Sequence, residues 1–361
     1  MIKICSLVLL ALLVRPLIVF ASTISLTESQ RVALARLTVS NPEVKKLYHK
    51  IQREAEASVR AKGNPIRKLG TAGRLDSDSL KIQSMASLGD MKKLHALGYA
   101  FAVTQRSEYS AAIRRIILHW AKVNQPTGVP IDETKLEPLF VAYDLARSAF
   151  CETEQKAVGD WLRNIASLEF QSARTNSVTA MNNWNSHRLK IIGLIGFLLE
   201  DQALIQKASE GFKQQIELNL APDGSSFDLR QRDALRYHCY DLEPLLALAM
   251  AARQNGIDLY NFMAPNGASL PKSVNFLVPF CDGTKTHAEW VHSKVKFDRQ
   301  RAEAGEKGFV TGAPFAPEEA REVFELAVFF ENRYTPLLLR LSGGRAVEYA
   351  GWQAVLNKVR E

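Results

Sequence analysis

The chain has 361 residues, of which 47% are hydrophobic and 23% are charged, and its formal net charge is +8 at pH 7. The length is enough to bury a large core as one domain, or as one domain with a small extension. A basic chain suits an anionic partner: a polysaccharide, a membrane surface or nucleic acid. No Lys/Arg run with interleaved aromatics is present, so nucleic acid is the least favoured of the three.

The first 21 residues have the pattern of a signal peptide. Lys3 precedes an apolar run from Leu7 to Val14, and Val19-Phe20-Ala21 forms a small-residue cleavage site. Arg15 interrupts this pattern, and the alternative is an uncleaved membrane anchor. Cleavage removes two of the 46 basic residues and none of the 38 acidic ones, so the net charge becomes 44 − 38 = +6. We therefore expect a periplasmic or secreted protein with no stable membrane association.

Three cysteines remain after this segment: Cys151, Cys239 and Cys281. Their number is odd, their spacings are long, and no C-x-x-C or metal-binding spacing occurs. This excludes a disulfide framework but allows one bridge. Buried free thiols are the favoured interpretation, and Cys239 is expected to pack rather than to act as a nucleophile.

The N-terminal part predicts two helices followed by an irregular stretch. Ser25-Leu26-Thr27-Glu28 has the form of a capping box for a helix to about Leu37. Asn41-Pro42 opens a second helix with proline at its first position. Residues 63–90 are rich in Gly, Ser and Asp and carry basic residues, including Arg74. They form either a linker or a basic lid loop over a cleft.

From Leu88 onward, apolar residues recur with a steady helical period, and no strand with alternation and hairpin turns stands out. Short loops between helices favour antiparallel neighbours. We predict an all-α fold, an incomplete (α/α) toroid over residues 85–361 with residues 22–84 packed on it. The predicted helices are Met91–Thr104, Glu108–Val123, Thr153–Ala173, Asn182–Leu199, 202–219, Ala316–Asn332 and Ala346–Val359.

The stretch from Asp223 to Leu245 is more polar and aromatic than packing alone requires. It starts with an Asp-Gly turn and a serine cap, and we predict one continuous helix from there. Arg230 and Tyr237 are seven residues apart, so they would share one helix face, and Tyr240 lies close to it. A cation and two phenols on one stripe indicate a polar cleft.

A second polar cluster opens another inner helix. It contains Asn182, Asn183 and Trp184, followed by His187 and Arg188. The asparagines alone are explained equally well as a helix cap. Asn183 and His187 are four residues apart and face the same way, which favours a binding site.

These two clusters resemble the alginate-lyase domain family, whose members are uronate-polymer lyases with an α/α toroid. The resemblance rests on Asn182-Asn183 and on Arg230 followed by Tyr237, and covers roughly residues 85 to 300. It implies that Asn183 and His187 hold the uronate carboxylate, while Tyr237 transfers protons beside Arg230. In the best-known members the histidine directly follows the asparagine. Trp184 occupies that position here, so the chain resembles a divergent branch and the polymer it cuts is open.

The implied chemistry is β-elimination, in which the proton at C5 is removed and the 4-O-glycosidic bond breaks. Polar donors stabilise the negative charge of the enolate-like intermediate. One tyrosine can serve as base and then as acid in a syn elimination, with a nearby cation, Arg230 or protonated His187, favouring the phenolate. No cofactor is expected.

Other polar residues have both a structural and a functional interpretation. His238 is read as structural, pairing with Asp241, and Lys135 lies among acids that suit a solvated helix N-terminus. His287, Glu289 and His292 could bind a metal, but we predict a substrate-side role and no metal. Trp120 and Tyr143 are read as core residues, although one of them could stack on a sugar ring. The residues expected to contact substrate are Asn182, Trp184, Arg188, Lys135, Tyr240, His238, His287, Glu289 and Arg74.

The sequence thus predicts a polysaccharide lyase acting on an anionic uronate polymer, alginate first, with glucuronan as another candidate substrate. One rival is a glycoside hydrolase on the same fold, which needs two carboxylates across the scissile bond; Asp228, Asp233 and Glu289 are the candidates. The other rival is a non-catalytic module that binds an anionic polysaccharide. A monomer is favoured.

Overall fold

The computed structural model describes residues 23–173, 178–344 and 348–361, so the predicted signal peptide lies outside the described residues. The described chain is helical, and β-structure within it is limited to isolated bridges. The α-helices are α1 Glu28–Ser40, α2 Pro42–Ser58, α3 Ser79–Thr104, α4 Ser107–Val123, α5 Pro130–Glu133, α6 Glu137–Ala146, α7 Glu152–Ala173, α8 Asn183–Leu199, α9 Gln202–Asn219, α10 Phe227–Arg232, α11 Leu235–Gln254, α12 Leu270–Cys281, α13 Lys296–Glu303, α14 Arg321–Ala327, α15 Thr335–Leu341 and α16 Trp352–Arg360.

The helices form an α/α toroid, which confirms the predicted fold class. Inner helices α3, α6, α8, α11 and α14 contact one another in that order around the centre. Outer helices α4, α7, α9 and α12 alternate with them along the chain and bury one face each. Helix α16 contacts α1, α2 and α14, so it joins the last inner helix to the N-terminal pair.

Helix α8 shows why the inner ring is packed closely. Every residue from Ser186 to Leu198 is buried, as expected for a helix with neighbours on all sides. Gly193 lies where α8 meets α11, and a Cβ there would lie 2.3 Å from Cδ1 of Leu248 and 3.2 Å from Cβ of Ala208. A side chain at this position would therefore force Leu248 to move within a closely packed core.

The N-terminal helices form where the sequence predicts them, with different caps. The capping box of α1 is Thr27 with Gln30, not the predicted Ser25 with Glu28. Asn41 caps α2 by accepting from the backbone N–H groups of Glu43 and Val44 at 2.9 and 3.1 Å. The irregular stretch is shorter than predicted, because Asp78 caps α3 and the helix runs from Ser79.

The predicted continuous helix through the Asp223–Leu245 stretch is wrong. Helix α10 ends at Arg232, Asp233 adopts a left-handed conformation with φ of 49°, and α11 begins at Leu235. Aspartate tolerates this conformation better than most residues, so no glycine marks the break. The side chains before and after Asp233 therefore do not follow one helical stripe.

The three described cysteines are free thiols, and Cys239 and Cys281 are buried as expected. Cys151 is exposed, contrary to the prediction of buried thiols. Within the described ranges, each helix is too short or too polar to cross a lipid bilayer.

Candidate active site

A groove of about 490 Å³ lies at the end of the toroid where α8 and α11 begin. Helix N-termini carry partial positive charge, which favours an anionic ligand at this end. The groove is lined by Thr71, Ala72, Gly73, Lys81, Met85, Ile131, Lys135, Asn183, Trp184, Arg232, Arg236, Tyr237, Cys239, Tyr240, Glu243, Phe297, Arg301, Phe309 and Glu319.

The groove is strongly basic. Its lining contains the cations Lys81, Lys135, Arg232, Arg236 and Arg301, against two carboxyl groups. Summed over a low-dielectric cleft, this charge attracts and concentrates a polyanion.

Tyr237 lies in the first turn of α11 with two guanidinium groups beside it. The Arg232 guanidinium lies 3.9 Å from the centre of the phenol ring. Nη1 of Arg301 lies 3.4 Å from the phenol oxygen. The ring is also held edge-on by Trp290 and Tyr240, with centroids 5.6 and 6.0 Å away. Positive charge is thus fixed around one phenol in the groove.

Carboxylates hold the groove arginines in place. Arg232 bonds to the buried Asp298, and Nε of Arg301 lies 2.8 Å from Oε2 of the buried Glu306. Such charge-assisted pairs fix the guanidinium plane, so these cations are oriented before a ligand arrives.

Asn183 lines the groove, and one of the two N–H donors of its side-chain amide is already used. Its backbone N–H and its Nδ2 donate to the two carboxylate oxygens of Asp228, at 2.6 and 2.5 Å. Asp228 is buried, which raises its pKa to about 6, and it also lies 3.8 Å from Nε of Arg232. Asp228 therefore positions two groove residues, a role that sequence reasoning missed.

His187 lies under the groove wall rather than in the groove. Its ring packs on Tyr240 with centroids 4.4 Å apart, and Nδ1 is 3.0 Å from Oγ1 of Thr134. Burial, together with the charges of Lys190 and Lys135, lowers the pKa of His187 well below its usual value. The imidazole is therefore neutral, and it does not supply the positive charge expected for it.

Two other groove groups have altered ionisation. Burial raises the pKa of Tyr240, so this phenol keeps its proton more firmly than an exposed tyrosine. Burial also lowers the pKa of Lys135 to about 8, opposed by the nearby Asp132. Burial thus disfavours the phenolate form of Tyr240.

Arg230 does not approach Tyr237, which corrects the predicted shared face. The break at Asp233 turns Arg230 away, and its guanidinium donates to the backbone oxygens of Ser225 and Asn219 at 3.0 and 3.2 Å. Arg230 borders a different cavity, together with His287. The sequence identified a cation near the phenol, but the structure places Arg232 there.

Several other predicted contact residues are structural. His238 is buried, and its Nε2 lies 3.1 Å from the backbone oxygen of Ser273, so the predicted pairing with Asp241 is wrong. Arg188 is 2% exposed and pairs with Glu169. Asn182 caps α8, accepting from the backbone N–H of Trp184 at 3.0 Å.

Glu289 and Arg74 also lie outside the groove lining. The buried Glu289 caps α11 by accepting from the backbone N–H groups of Leu235 and Arg236, at 2.8 and 3.3 Å. Arg74 pairs with Asp78 at 2.9 Å on the surface. No group of three or more potential metal ligands is found in the described parts of the chain.

Trp184, Lys135 and Tyr240, three of the residues expected to contact substrate, line the groove. Trp120 and Tyr143 are buried in the core. Sequence reasoning did not assign Arg301 of α13 or Lys81 of α3 to the site, because neither residue belongs to a recognisable motif.

The sequence from residue 38 to residue 288 matches the family model described as alginate lyase. Among proteins with curated descriptions, no sequence match is found.

Three solved structures share the fold. An alginate lyase from Bacteroides ovatus is 16% identical with a TM-score of 0.66, over 93% of this chain and 98% of that chain. Alginate lyase A1-III from Sphingomonas species A1 is 20% identical with a TM-score of 0.58, over 83% and 95%. A variant of A1-III complexed with tetrasaccharide is 19% identical with a TM-score of 0.58, over 80% and 92%.

Proposed function

The chain belongs to the alginate lyase family, and from this premise we propose that it cleaves a uronate polymer, alginate first, by β-elimination in the groove. The observation that carries the proposal is Tyr237 with the guanidinium groups of Arg232 and Arg301 beside its phenol. Trp184 replaces the histidine of the best-known members, which leaves the choice of polymer open, and glucuronan is the next candidate substrate.

Binding is driven by charge. The groove cations Lys81, Lys135, Arg232, Arg236 and Arg301 face a polymer that carries one carboxylate per sugar. One N–H of Asn183 Nδ2 is bound to Asp228, so we assign neutralisation of the reacting carboxylate chiefly to the cations, with the second N–H of that amide as a further donor. Negative charge developing on the carboxylate and C5 is stabilised by donors that are already oriented.

Tyr237 is the proton carrier of the proposed reaction. Its phenolate takes the C5 proton, the C5–H electron pair forms the C4=C5 double bond, and the C4–O4 bond breaks. The same phenol returns a proton to the departing O4, which requires H5 and O4 on one side of the sugar. Arg232 and Arg301 stabilise the phenolate stage. Tyr240 is assigned to substrate binding and His187 to supporting the Tyr240 ring.

The three acids considered for the hydrolase alternative lie outside the groove lining. Asp228 is bound to Asn183, and Glu289 caps α11. Asp233 accepts from the backbone N–H of His292 at 2.9 Å and borders the other cavity. None of the three lines the groove, so they are not placed across a bound glycosidic bond.

We place the enzyme in the periplasm or outside the cell, on the basis of the sequence pattern of residues 1–21 and the family. A polyanionic cell-surface or extracellular polysaccharide is the partner that this location supplies. No cofactor enters the proposed reaction.

The test is the rise in ultraviolet absorbance from the unsaturated uronate during digestion of polymannuronate. Tyr237→Phe should lower the rate by about two to four orders of magnitude while polymer binding is kept. Tyr240→Phe is the matched variant and should cost less than about tenfold. Cleavage without the absorbance rise would show hydrolysis, and unchanged behaviour of Tyr237→Phe would show that this phenol is not the proton carrier.

A further inference from the structure

Glu243 is an unexpected residue in a groove for a polyanion. It lies on α11 three residues after Tyr240 and seven after Arg236, so these side chains share one face that lines the groove. An ionised carboxylate there would repel the carboxylates of the substrate.

The other groove carboxyl has a partner. Glu319 pairs with Nη1 of Arg236 at 3.0 Å. In the described part of the chain, the Glu243 carboxyl makes neither a hydrogen bond nor an ion pair with a protein group. Its charge would therefore have no counter-ion of its own, unlike that of Glu319.

The surroundings of Glu243 are rich in carboxyl groups. Glu322 of α14 and Glu137 of α6 face it, and the charges near enough to oppose them are Lys190 of α8 and Arg236 of its own helix. Lys190 already bonds to Glu137. Burial first, and Glu322 next, raise the pKa of Glu243 to about 8. At neutral pH the side chain is a neutral carboxylic acid, which can donate a hydrogen bond.

We propose that Glu243 binds the polymer as a neutral acid, donating its proton to a hydrogen bond with the carboxylate of a bound uronate. This rests on the proposed function, since it requires the polymer to occupy the groove. Glu243 lies six positions after Tyr237, which corresponds to about 9 Å along the helix axis. Glu243 therefore contacts a sugar next to the one whose C5 proton Tyr237 removes.

The neutral Glu243 carboxyl donates a hydrogen bond to the uronate carboxylate, whereas an ionised one would repel it. Because the acceptor is charged, this hydrogen bond is of a stronger kind. It also makes affinity depend on pH. With ionisation near pH 8, the neutral fraction falls from about 0.9 at pH 7 to about 0.1 at pH 9. Binding that needs the neutral form should weaken about tenfold over this range. Lys135 loses its charge in the same range, so the contribution of Glu243 must be isolated by comparison.

The experiment measures the dissociation constant of an alginate oligosaccharide by titration calorimetry in the Tyr237→Phe background, where turnover is suppressed. The comparison protein carries Glu243→Gln in the same background, because glutamine keeps the side-chain shape and a hydrogen-bond donor but does not ionise. Both proteins contain Lys135, so its effect on affinity cancels in the ratio of the two dissociation constants. We expect the Glu243 protein to bind within about threefold of the Gln variant at pH 7 and about tenfold more weakly at pH 9.

A ratio that is the same at both pH values would overturn the proposal, as would much tighter binding by the Gln variant at pH 7. Glu322→Gln, also in the Tyr237→Phe background, provides a second measurement, because removing that neighbouring charge should let Glu243 ionise at lower pH. The midpoint of the weakening relative to Glu243→Gln should then lie below the value near pH 8 expected without the Glu322 change. These are binding measurements, so they stand even if the wild type gives no unsaturated product, and a failed ratio leaves the elimination itself intact.

Discussion

Replacement of Arg232 tests whether the cation beside the phenol is the one that the structure identifies. In Arg232→Gln the guanidinium 3.9 Å from the Tyr237 ring is lost. The phenol oxygen lies about 5 Å from that charge, and at an effective dielectric constant of about 20 the interaction with a phenolate is about 3 kcal/mol. Screening at the partly open groove lowers this to about 1.5–3 kcal/mol, so kcat should fall about 10- to 150-fold.

Arg230→Gln is the matched control, two residues earlier in the same short helix. Its guanidinium binds backbone oxygens of Ser225 and Asn219, so the loss should cost about 1 kcal/mol of stability and change kcat by less than about threefold. The assay is the initial rate of absorbance increase on polymannuronate, with thermal unfolding of each variant checked because Arg232 also pairs with Asp298. A large loss in Arg230→Gln with a small one in Arg232→Gln would refute this assignment.

Two further predictions concern charge and stability. Burial lowers the pKa of Lys135 to about 8, so its charge is lost as pH rises through 8. Lys135→Arg should therefore show a smaller rise in KM for alginate from pH 7 to pH 9 than the wild type. An equal rise in both proteins would contradict this. Glu289→Ala removes the acceptor for two backbone N–H groups of α11 and should lower the free energy of unfolding by about 1–2 kcal/mol, seen as a lower Tm in calorimetry. Glu289→Gln keeps one acceptor oxygen, so its free energy of unfolding should fall by less.

The toroid was predictable because its signals are local. Helical periodicity, proline after Asn41 and short connections each depend on neighbouring residues. The boundaries predicted for α4, α7, α8 and α9 agree with the structure within one residue, whereas α5 and α6 were not predicted with boundaries. The start of α3 was misplaced because polar residues from Ser79 onward mask a helix that Asp78 caps. Its buried face only becomes apparent once the neighbouring helices are in place.

The groove was only partly predictable, because its parts come together over long sequence distances. Tyr237 and Asn183 lie in recognisable motifs, but Arg301 reaches the phenol from α13, more than sixty residues later in the chain. The left-handed Asp233 has no glycine or proline to mark it, and this single residue exchanges Arg230 for Arg232 at the phenol. Such an exchange follows from backbone geometry that residue spacing does not reveal.

The most direct test of the central claim is a crystal structure of Tyr237→Phe with a bound mannuronate oligosaccharide. The account predicts a sugar in the groove at the N-terminal ends of α8 and α11, with C5 within about 3.5 Å of the missing phenol oxygen's position and its carboxylate facing Arg232 and Arg301. An oligosaccharide bound in the cavity beside Arg230 and His287, with the groove empty, would contradict it.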